Sequence, residues 1–552
     1  MKRSRSKRGC AVLVVISLVT VLFIGNVPAV NAGETIKELI KLKRYDEVVS
    51  EGGKFAVSPL ITALKSNDWK VREEIADTLG KIGAPAVKQL ILSIDDSRNY
   101  YRWDTTIALG KVGAPAVKPL IAVLKFKNNK VRKYTAIALG RIGDVRAIEP
   151  LSKLLKMKYN PVRRWSAWSL GKIGDKSAID PLTSALKDED VIVRRNATLA
   201  LGEINDPMVV ETLVMGLGDE AVEVRAASAY AIGMLADEVA VMPLIASFKD
   251  DQFIVRANAE RALGKIGKPA VDFLIESIKD DASDVRKHSA GALGRIGDAR
   301  AIEPLSKLSA DNNGKVRRSA AIALGDFKDE KAAKILIKLL DDSDLRVRNS
   351  AFNALIRTGT PAISSLIDIA YKGDKQQEAI EILGAIGDPR ALKVLIESVN
   401  DEKPNVKMAA VKGLGRLKDK QILGAALPFL DDSDEFARYF AAEALINSGW
   451  EPKSGDDKLD YFVAAQSWPD VIELKGEAVG RLTNMLDSKS VSFKKGAIAT
   501  LGDIGDDDAV DSLIPLVEKD KIGETVLEAL KKITKEDFGQ DKGKWKSWRK
   551  KQ

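Results

Sequence analysis

Apolar residues recur at helical spacing along most of the chain, in two short stretches per unit. "AIDPLTSALKD", from residue 178, typifies the first stretch, and "VIVRRNATLALGEI", from residue 191, typifies the second. Apolar positions three and four apart predict a helix for each stretch, and a proline is tolerated in the opening turn of the first. The polar residues between the stretches predict a turn. Each unit is therefore predicted to be a pair of helices.

The unit repeats. "RIGDVRAIEPLSKL" at 141 and "RIGDARAIEPLSKL" at 295 match at thirteen of fourteen positions. A Leu or Ile that anchors the second helix recurs, mostly every 30 or 31 residues, at positions 79, 109, 139, 170, 201, 232, 263, 293, 324, 355, 383, 414, 445, 501 and 530. A period of this length indicates a stacked repeat protein. Because such short helices are marginal alone, each pair must pack against the next. We predict an all-α, right-handed α-solenoid of about fifteen two-helix repeats.

Three features of the unit carry structural predictions. Seven residues before the anchor stands arginine in eleven units and lysine in two. We expect this arginine to bond loop carbonyls or aspartates between units. Gly140 and Gly171 directly follow anchors, where a missing side chain lets a neighbouring helix approach closely. Gly143 and Gly297 follow second helices, where a left-handed cap suits glycine.

The recurring pattern "VR…A…ALG.IGD..A", over about residues 55–534, resembles the HEAT-like repeats of the phycobilisome-lyase type. The resemblance implies the helical-repeat fold. It does not select an activity, because such repeats occur in scaffolds, lyases and hydroxylases alike.

The repeats predict the domain organisation. Residues 33–54 are predicted to form a capping helix and 55–449 the main solenoid. An insert at 450–478 lengthens the distance between two successive anchors to 56 residues. It is interpreted as a helix at which a new stack of repeats begins. A short second stack, 479–534, and a basic, Trp-containing tail, 535–552, follow it.

Residues 1–32 have the three parts of a secretory signal peptide. A basic head, "MKRSRSKRG", precedes an apolar run, and "VNA" ends at Ala32. We expect cleavage after Ala32 and a location outside the cytoplasm: periplasmic, cell-envelope or secreted. The alternative is an uncleaved membrane anchor, because the run is just long enough to span a bilayer. Cys10 is the only cysteine, so a processed chain has no thiol chemistry.

The formal net charge of +9 comes from the two ends. Residues 1–32 hold five basic and no acidic groups, and 535–552 hold seven basic and three acidic groups. Subtracting both from 87 basic and 78 acidic residues leaves 75 of each. A neutral body argues against nucleic acid as a partner.

Familiar catalytic chemistry is hard to assemble from this composition. Deoxyhypusine hydroxylase has a similar repeat fold but holds two irons through several His–Glu pairs, whereas His288 is the only histidine here. One imidazole also cannot build the usual zinc site. We expect no cofactor and no metal, and His288 is interpreted as a surface residue. The acidic turns, including Asp503, Asp506, Asp507 and Asp508, are interpreted as helix caps, and a weak cation site at that cluster stays open.

The second helices carry a candidate ligand strip. With the repeated arginine as position zero, positions plus one, two, five and nine lie away from the predicted core on a helix of about 100° per residue. Trp165 and Trp168 are thus predicted to face outward or to lie at the core's rim. In such solenoids the second helices are expected on the concave side. The strip comprises Trp103, Lys111, Lys133, Tyr134, Arg141, Arg164, Trp165, Trp168, Lys172 and Arg195.

Two interpretations of the strip stay open. Aromatic faces with interleaved cations suit a protein partner or an extended, partly acidic ligand, either a peptide or an anionic glycan. The same residues could be structural, because cations complement helix C-termini and tryptophan fills gaps between layers. The sequence favours a non-catalytic exported scaffold that binds a partner on the concave face. The alternative is an enzyme of the HEAT-like lyase type that uses the groove. A membrane partner is expected only through an uncleaved N-terminal segment.

Overall fold

The computed structural model describes residues 36–95, 101–417, 419–432, 434–452, 455–488 and 490–552. The predicted signal peptide lies outside the described residues. Within them the secondary structure is helical throughout. The chain forms two compact units, one ending at Ile296 and one beginning at Gly297.

The first unit is a series of helix pairs, as the sequence predicts. Its first helices are Val57–Ala63, Val87–Asp95, Val117–Val123, Ile148–Leu154, Ile179–Ala185, Val210–Met215, Val241–Ala246 and Val271–Ser277. Its second helices are Trp69–Ile82, Arg102–Val112, Asn129–Ile142, Asn160–Ile173, Val191–Ile204, Val222–Leu235, Phe253–Ile266 and Ser283–Ile296. Successive second helices pack side by side, and each first helix packs on its own second helix.

The first helices are shorter than their apolar stretches suggest, because each opens with a separate 3₁₀ turn. Val145–Ala147 is such a turn, and the Asp144 side chain accepts the backbone N–H of Arg146 at its start (2.9 Å). Asp175 caps the next turn in the same way. The turn places Ala147 and Ala178 in the core, where both are fully buried.

The anchor residues lie at the centre of the core. Leu139, Leu170 and Leu201 are completely buried, as are the alanines that pack beside them. Gly143 and Gly297 have positive φ angles of 76° and 69°, which confirms the predicted left-handed caps. The N-terminal segment differs from the predicted single capping helix. It consists of a helix over 36–41 and shorter helical turns from Tyr45 to Ala56, because Lys43 turns the chain with φ 57°.

The second unit continues the pattern. Its first helices are Ile302–Leu308, Glu330–Leu339, Ile363–Lys372, Leu392–Ser398, Leu423–Ala426, Val479–Asn484 and Val510–Leu513. Its second helices are Gly314–Leu324, Leu345–Thr358, Gln376–Ile386, Pro404–Leu414, Glu435–Asn447, Val491–Ile504 and Gly523–Thr534. The insert contributes Gly455–Ala464 and Trp468–Glu473, and the tail contributes Lys542–Arg549.

The insert and the tail share one apolar core with the repeats between them. Val463 and Val471 of the insert belong to the same buried cluster as Leu501 and Trp545. Trp545 is fully buried, and its indole N–H donates to the Gly539 carbonyl (2.9 Å). The tail helix packs on the turn Ile514–Leu516, so it covers the last repeat.

In the described part of the chain, no single helix has the length and apolarity needed to cross a membrane. One bent pair, Arg102–Val112 with Ala114–Val123, passes the same test together, with a 112° bend between its halves.

Candidate binding site on the second helices

The candidate strip lies on four neighbouring second helices of the first unit. Trp103 belongs to Arg102–Val112, Arg141 to Asn129–Ile142, Trp165 to Asn160–Ile173 and Arg195 to Val191–Ile204. Small residues let these helices approach. A side chain at Gly140 would lie 2.6 Å from Cβ of Ser169, and one at Gly171 would lie 2.7 Å from the Ala200 backbone. This confirms the role predicted for the glycine after the anchor.

Three tryptophans form a continuous aromatic cluster across these helices. The Trp103 and Trp165 rings meet edge to face with centroids 5.5 Å apart, and Trp165 meets Trp168 in the same way at 5.5 Å. Trp103 is 42% exposed, whereas Trp165 and Trp168 are half-buried. The pair that the sequence places outward or at the rim therefore lies at the rim. Trp103 offers most of the free aromatic surface.

Arg141 lies against this cluster without a carboxylate partner. Its guanidinium carbon is 4.7 Å from the Trp103 ring centroid, and its side chain passes over Gly110 of the neighbouring helix. Its Nε is buried and has no acceptor. Burial lowers the pKa of Arg141 from its ordinary value, and no neighbouring acid offsets that effect. The site thus holds a partly desolvated cation with an unused donor.

Three other cations of the strip are neutralised within the fold. Lys111 pairs with Asp77 (2.7 Å), and Lys172 pairs with Glu203 (2.6 Å) while its Nζ lies 5.7 Å from the Trp168 centroid. Arg164 Nε donates to Asp190 (2.8 Å). The Arg164 side chain and the other hydrogen bonds to Asp190 hold the pKa of that carboxyl well below its usual range, although burial opposes them. The acidic partners of these cations belong to neighbouring repeats. The positions of the cations on their own helices therefore do not predict the ion pairs.

The remaining strip residues are Lys133, Tyr134 and Arg195. Lys133 Nζ lies 4.3 Å from the Tyr134 ring centroid, on the same helix as Arg141. Arg102, which the sequence analysis does not select, lies 6.0 Å from that ring. Arg195 donates to Asn196 (3.2 Å), and its Nε is buried without an acceptor. Arg141 and Arg195 are therefore the strip cations with a buried donor that has no acceptor.

The repeated arginines form a structural ladder, as predicted. Arg163 Nη1 donates to the carbonyls of Met157 (2.9 Å) and Lys158 (3.0 Å), and its Nε and Nη2 donate to Asp188 of the next unit (2.7 and 2.8 Å). The same fork joins Arg194 to Asp219, Arg225 to Asp250 and Arg317 to Asp342. These four arginines thus connect their units to the next ones.

The surface interpretation of His288 is wrong. The side chain is 3% exposed, its Nδ1 lies 2.7 Å from Glu260, and its ring stacks on Phe248 at 5.5 Å. Glu260 reaches the imidazole because Gly291 leaves space; a Cβ there would lie 2.7 Å from the carboxylate. Burial raises the pKa of Glu260, but hydrogen bonds from His288 and Arg295 outweigh it and lower the pKa below its ordinary value.

The acidic turns act as caps. Asp344 and Asp434 accept backbone N–H groups at the starts of their helices, and Asp506 does so for a 3₁₀ turn. Asp503 pairs instead with Lys532 (2.6 Å). Across the described ranges, His, Cys, Asp and Glu side chains do not gather in groups of three that could hold a metal ion.

Comparison with known proteins agrees with the fold. A family model described as HEAT repeats matches overlapping segments at 88–170, 117–191, 159–233, 179–264, 241–322, 305–376, 372–446 and 392–478. The chain belongs to the HEAT-repeat family. No curated protein sequence gives a significant match.

Solved structures give distant likenesses. The chain of a Kap95p–RanGDP structure is 11% identical with a TM-score of 0.49, over 91% of this chain and 88% of that one. The matching chain of a Kap95:Nup1 complex is 12% identical with a TM-score of 0.48, over 96% of this chain and 87% of that one. Human deoxyhypusine hydroxylase, in complex with glycerol, is 24% identical with a TM-score of 0.22, over 44% of this chain and 95% of that one.

Proposed function

We propose that this chain is a non-catalytic scaffold that acts outside the cytoplasm. It binds a partner protein through an extended, partly acidic segment that lies across the cluster of Trp103, Trp165 and Trp168. The observation that carries the proposal is Arg141, whose guanidinium is stacked on Trp103 and keeps a buried donor without an acceptor. A guanidinium that stacks on an exposed ring and has no carboxylate partner within the fold can donate through its Nη groups to a carboxylate of a ligand.

The chemistry of the site favours a carboxylate next to an apolar group. A carboxylate would accept from the guanidinium through charge-assisted hydrogen bonds, which are the strong ones. Trp103 would pack against a neighbouring apolar side chain of the same segment. Aromatic side chains and arginine are the residues that dominate binding energy at protein interfaces.

The dimensions suit an extended segment. Three neighbouring second helices at about 10 Å spacing make a surface about 20 Å wide. At about 3.3 Å per residue, roughly six residues in extended conformation cross it. An anionic glycan offers the same carboxylate chemistry, so the experiment below includes one.

The alternative function, a lyase of the phycobilisome-lyase HEAT-like type, rests on the repeat pattern alone. It would use the same surface, but the contacts of the strip residues do not single out a catalytic group among them.

The test uses the tryptophans as reporters. Acetylated peptides of about six residues, alternating Leu with Glu or Leu with Gln, are titrated against the chain while tryptophan emission is recorded. We expect the Glu peptide to bind and the Gln peptide to bind at least about tenfold more weakly. Arg141→Gln should remove the preference for Glu, whereas Arg146→Gln, on a first-helix turn, should not. Exposed charges are screened within about 8 Å at physiological salt, so added salt should weaken binding.

Two results would overturn the proposal: equal binding of the two peptides, or an unchanged preference in Arg141→Gln. Stronger binding of a galacturonate oligomer than of the Glu peptide would instead identify a glycan as the ligand. Arg141 is chosen over the half-buried Trp165 because loss of that ring would also loosen the packing of its helix. A thermal melt of each variant separates the two effects.

A further inference from the structure

The first-helix layer of the first unit carries exposed apolar side chains that the core does not use. Met208 is 82% exposed, Met215 78%, Val239 63% and Met242 56%. Met208 and Met215 belong to one repeat, and Val239 and Met242 belong to the next. The helix Val210–Met215 packs against the turn Glu238–Ala240, so the two pairs adjoin. We name these four side chains the methionine patch.

The patch contrasts with the two repeats that precede it. In the preceding repeats the position of Met208 holds Ser177 and Arg146, and that of Met215 holds Ser184 and Lys153, all exposed. In these two preceding repeats the fold therefore leaves both positions in water and fills them with polar residues, whereas in the first two repeats Phe55 and Leu92 are exposed apolar counterparts. Stability of the solenoid does not explain apolar residues here, because they bury little surface within it.

The surroundings of the patch are acidic. Between residues 204 and 248 there are seven acidic residues and a single basic one, Arg225, which is bound to Asp250 in the ladder. Glu211 and Glu238 are exposed among the patch residues. At one edge Asp206 is paired with Lys176 of the preceding repeat (2.7 Å). The patch is thus an apolar surface with a negative border.

We propose that the methionine patch docks a basic amphipathic segment of a partner protein. Methionine side chains are flexible and polarizable, so they adapt to apolar side chains of different shapes. The carboxylates of Glu211 and Glu238 attract lysine and arginine and repel acidic segments and anionic membranes. The patch lies on first helices and the tryptophan cluster on second helices. The two surfaces therefore take partners of opposite charge, and occupancy of one leaves the other free.

The test uses a labelled amphipathic peptide of about fourteen residues made of Leu and Lys, about four helical turns long. Fluorescence anisotropy with the full chain should show saturable binding. A peptide with the same residues in a non-amphipathic order should bind at least about tenfold more weakly. So should a Leu–Glu peptide when it is measured on Arg141→Gln, whose tryptophan cluster no longer prefers Glu. Met215→Ser with Met242→Ser should weaken binding of the Leu–Lys peptide to a similar degree. The exposed and equally apolar Val145, in another repeat, supplies the matched control, Val145→Ser, which should change nothing.

Reversal of charge at the border of the patch is the second part of the test. Glu211→Lys with Glu238→Lys should abolish the preference for the Leu–Lys peptide and favour the Leu–Glu peptide. Trp103→Ala should leave the affinity for the Leu–Lys peptide unchanged, since it alters the other surface. Equal binding of the ordered and disordered Leu–Lys peptides would overturn the proposal, as would equal effects of the patch variant and Val145→Ser. A dimer of the chain that the patch variant dissociates, or binding to anionic vesicles that it abolishes, would assign the patch to a different occupant and also overturn it.

Discussion

At the scale of single residues, the ladder shows why arginine recurs where lysine would keep the charge. Arg163 uses three nitrogen atoms at once, toward two carbonyls and both oxygens of Asp188. A lysine presents one nitrogen and cannot make this planar fork. Both partners of the pair are largely buried. The arrangement therefore gives each unit that makes the fork one fixed connection to the next.

Removing one partner of this buried pair should be costly. Arg163→Met leaves the Asp188 carboxylate buried without its cation, which we expect to lower the free energy of unfolding by about 3–5 kcal/mol. Urea unfolding followed by circular dichroism measures the loss. The exposed pair of Arg146 and Asp144 is the control, and Arg146→Met should cost no more than about 1 kcal/mol. Adding Asp188→Asn to Arg163→Met should recover part of the loss; no recovery would contradict the stranded-charge explanation.

Asp344 should make the free energy of unfolding depend on pH. Hydrogen bonds from the Arg346 side chain and backbone lower the pKa of Asp344 from 3.8 to about 2. A carboxyl with a lowered pKa stabilises the fold above its unfolded pKa, and this contribution is lost as the pH falls from about 4 to about 2. Asp344→Asn should therefore be less stable than wild type at neutral pH and equal to it at about pH 2.

Urea midpoints across this pH range measure the effect. Because asparagine also caps helices well, the difference reports the charge and not the cap. Asn313 holds the corresponding cap with an uncharged amide, so Asn313→Ser should change stability equally at every pH. A pH-independent difference for Asp344→Asn would show that its charge does not contribute.

At the scale of helices, close packing depends on the glycine after the anchor. A Cβ at Gly171 would lie 2.7 Å from both Cα and Cβ of Ala200, so Gly171→Ala must separate two second helices. We expect a loss of about 1–3 kcal/mol, typical of overpacking. Gly480 is also helical, but nothing lies within 4 Å of the position of its Cβ. Gly480→Ala should be neutral or stabilise by up to about 1 kcal/mol, the difference in helix propensity.

Differential scanning calorimetry of the two glycine variants gives the comparison directly. Equal effects at both positions would mean that helix propensity, and not close approach, decides the outcome at Gly171.

The helices could be predicted because their signals are local. Apolar spacing fixes each helix, and the anchor and arginine columns fix the register between units, so the buried Leu139 and the ladder at Arg163 follow from the sequence. Contacts between repeats that occur only once in the chain could not be predicted in this way. The helical positions place both His288 and Trp165 away from the core, yet Gly291 lets Glu260 reach His288 and bury it, while Trp165 stays at the rim. Likewise Arg141 and Lys172 occupy the same position in their repeats, nine residues after the repeated arginine, but only Lys172 forms an ion pair, with Glu203.

At the scale of the whole molecule, location decides which partners the two proposed surfaces meet. We expect the mature chain to begin at Gly33, because a basic head and an apolar run end in "VNA". N-terminal sequencing of native material, with fractionation of the cell envelope, measures this. An intact Met1 in a membrane fraction would contradict cleavage and support the anchor. Substitution of Ala32 by a bulky residue should block processing if the site is correct.

The buried Trp545 has a consequence for how copies of this chain meet. Each repeat has an apolar side that the next repeat covers, and in the last repeat the tail helix covers it instead. Such an apolar side, left open, is a surface on which copies of the chain can associate. Loss of residues 542–552 would therefore expose this apolar side and favour association between copies of the chain. By covering this apolar side, the indole ring of Trp545 opposes such association.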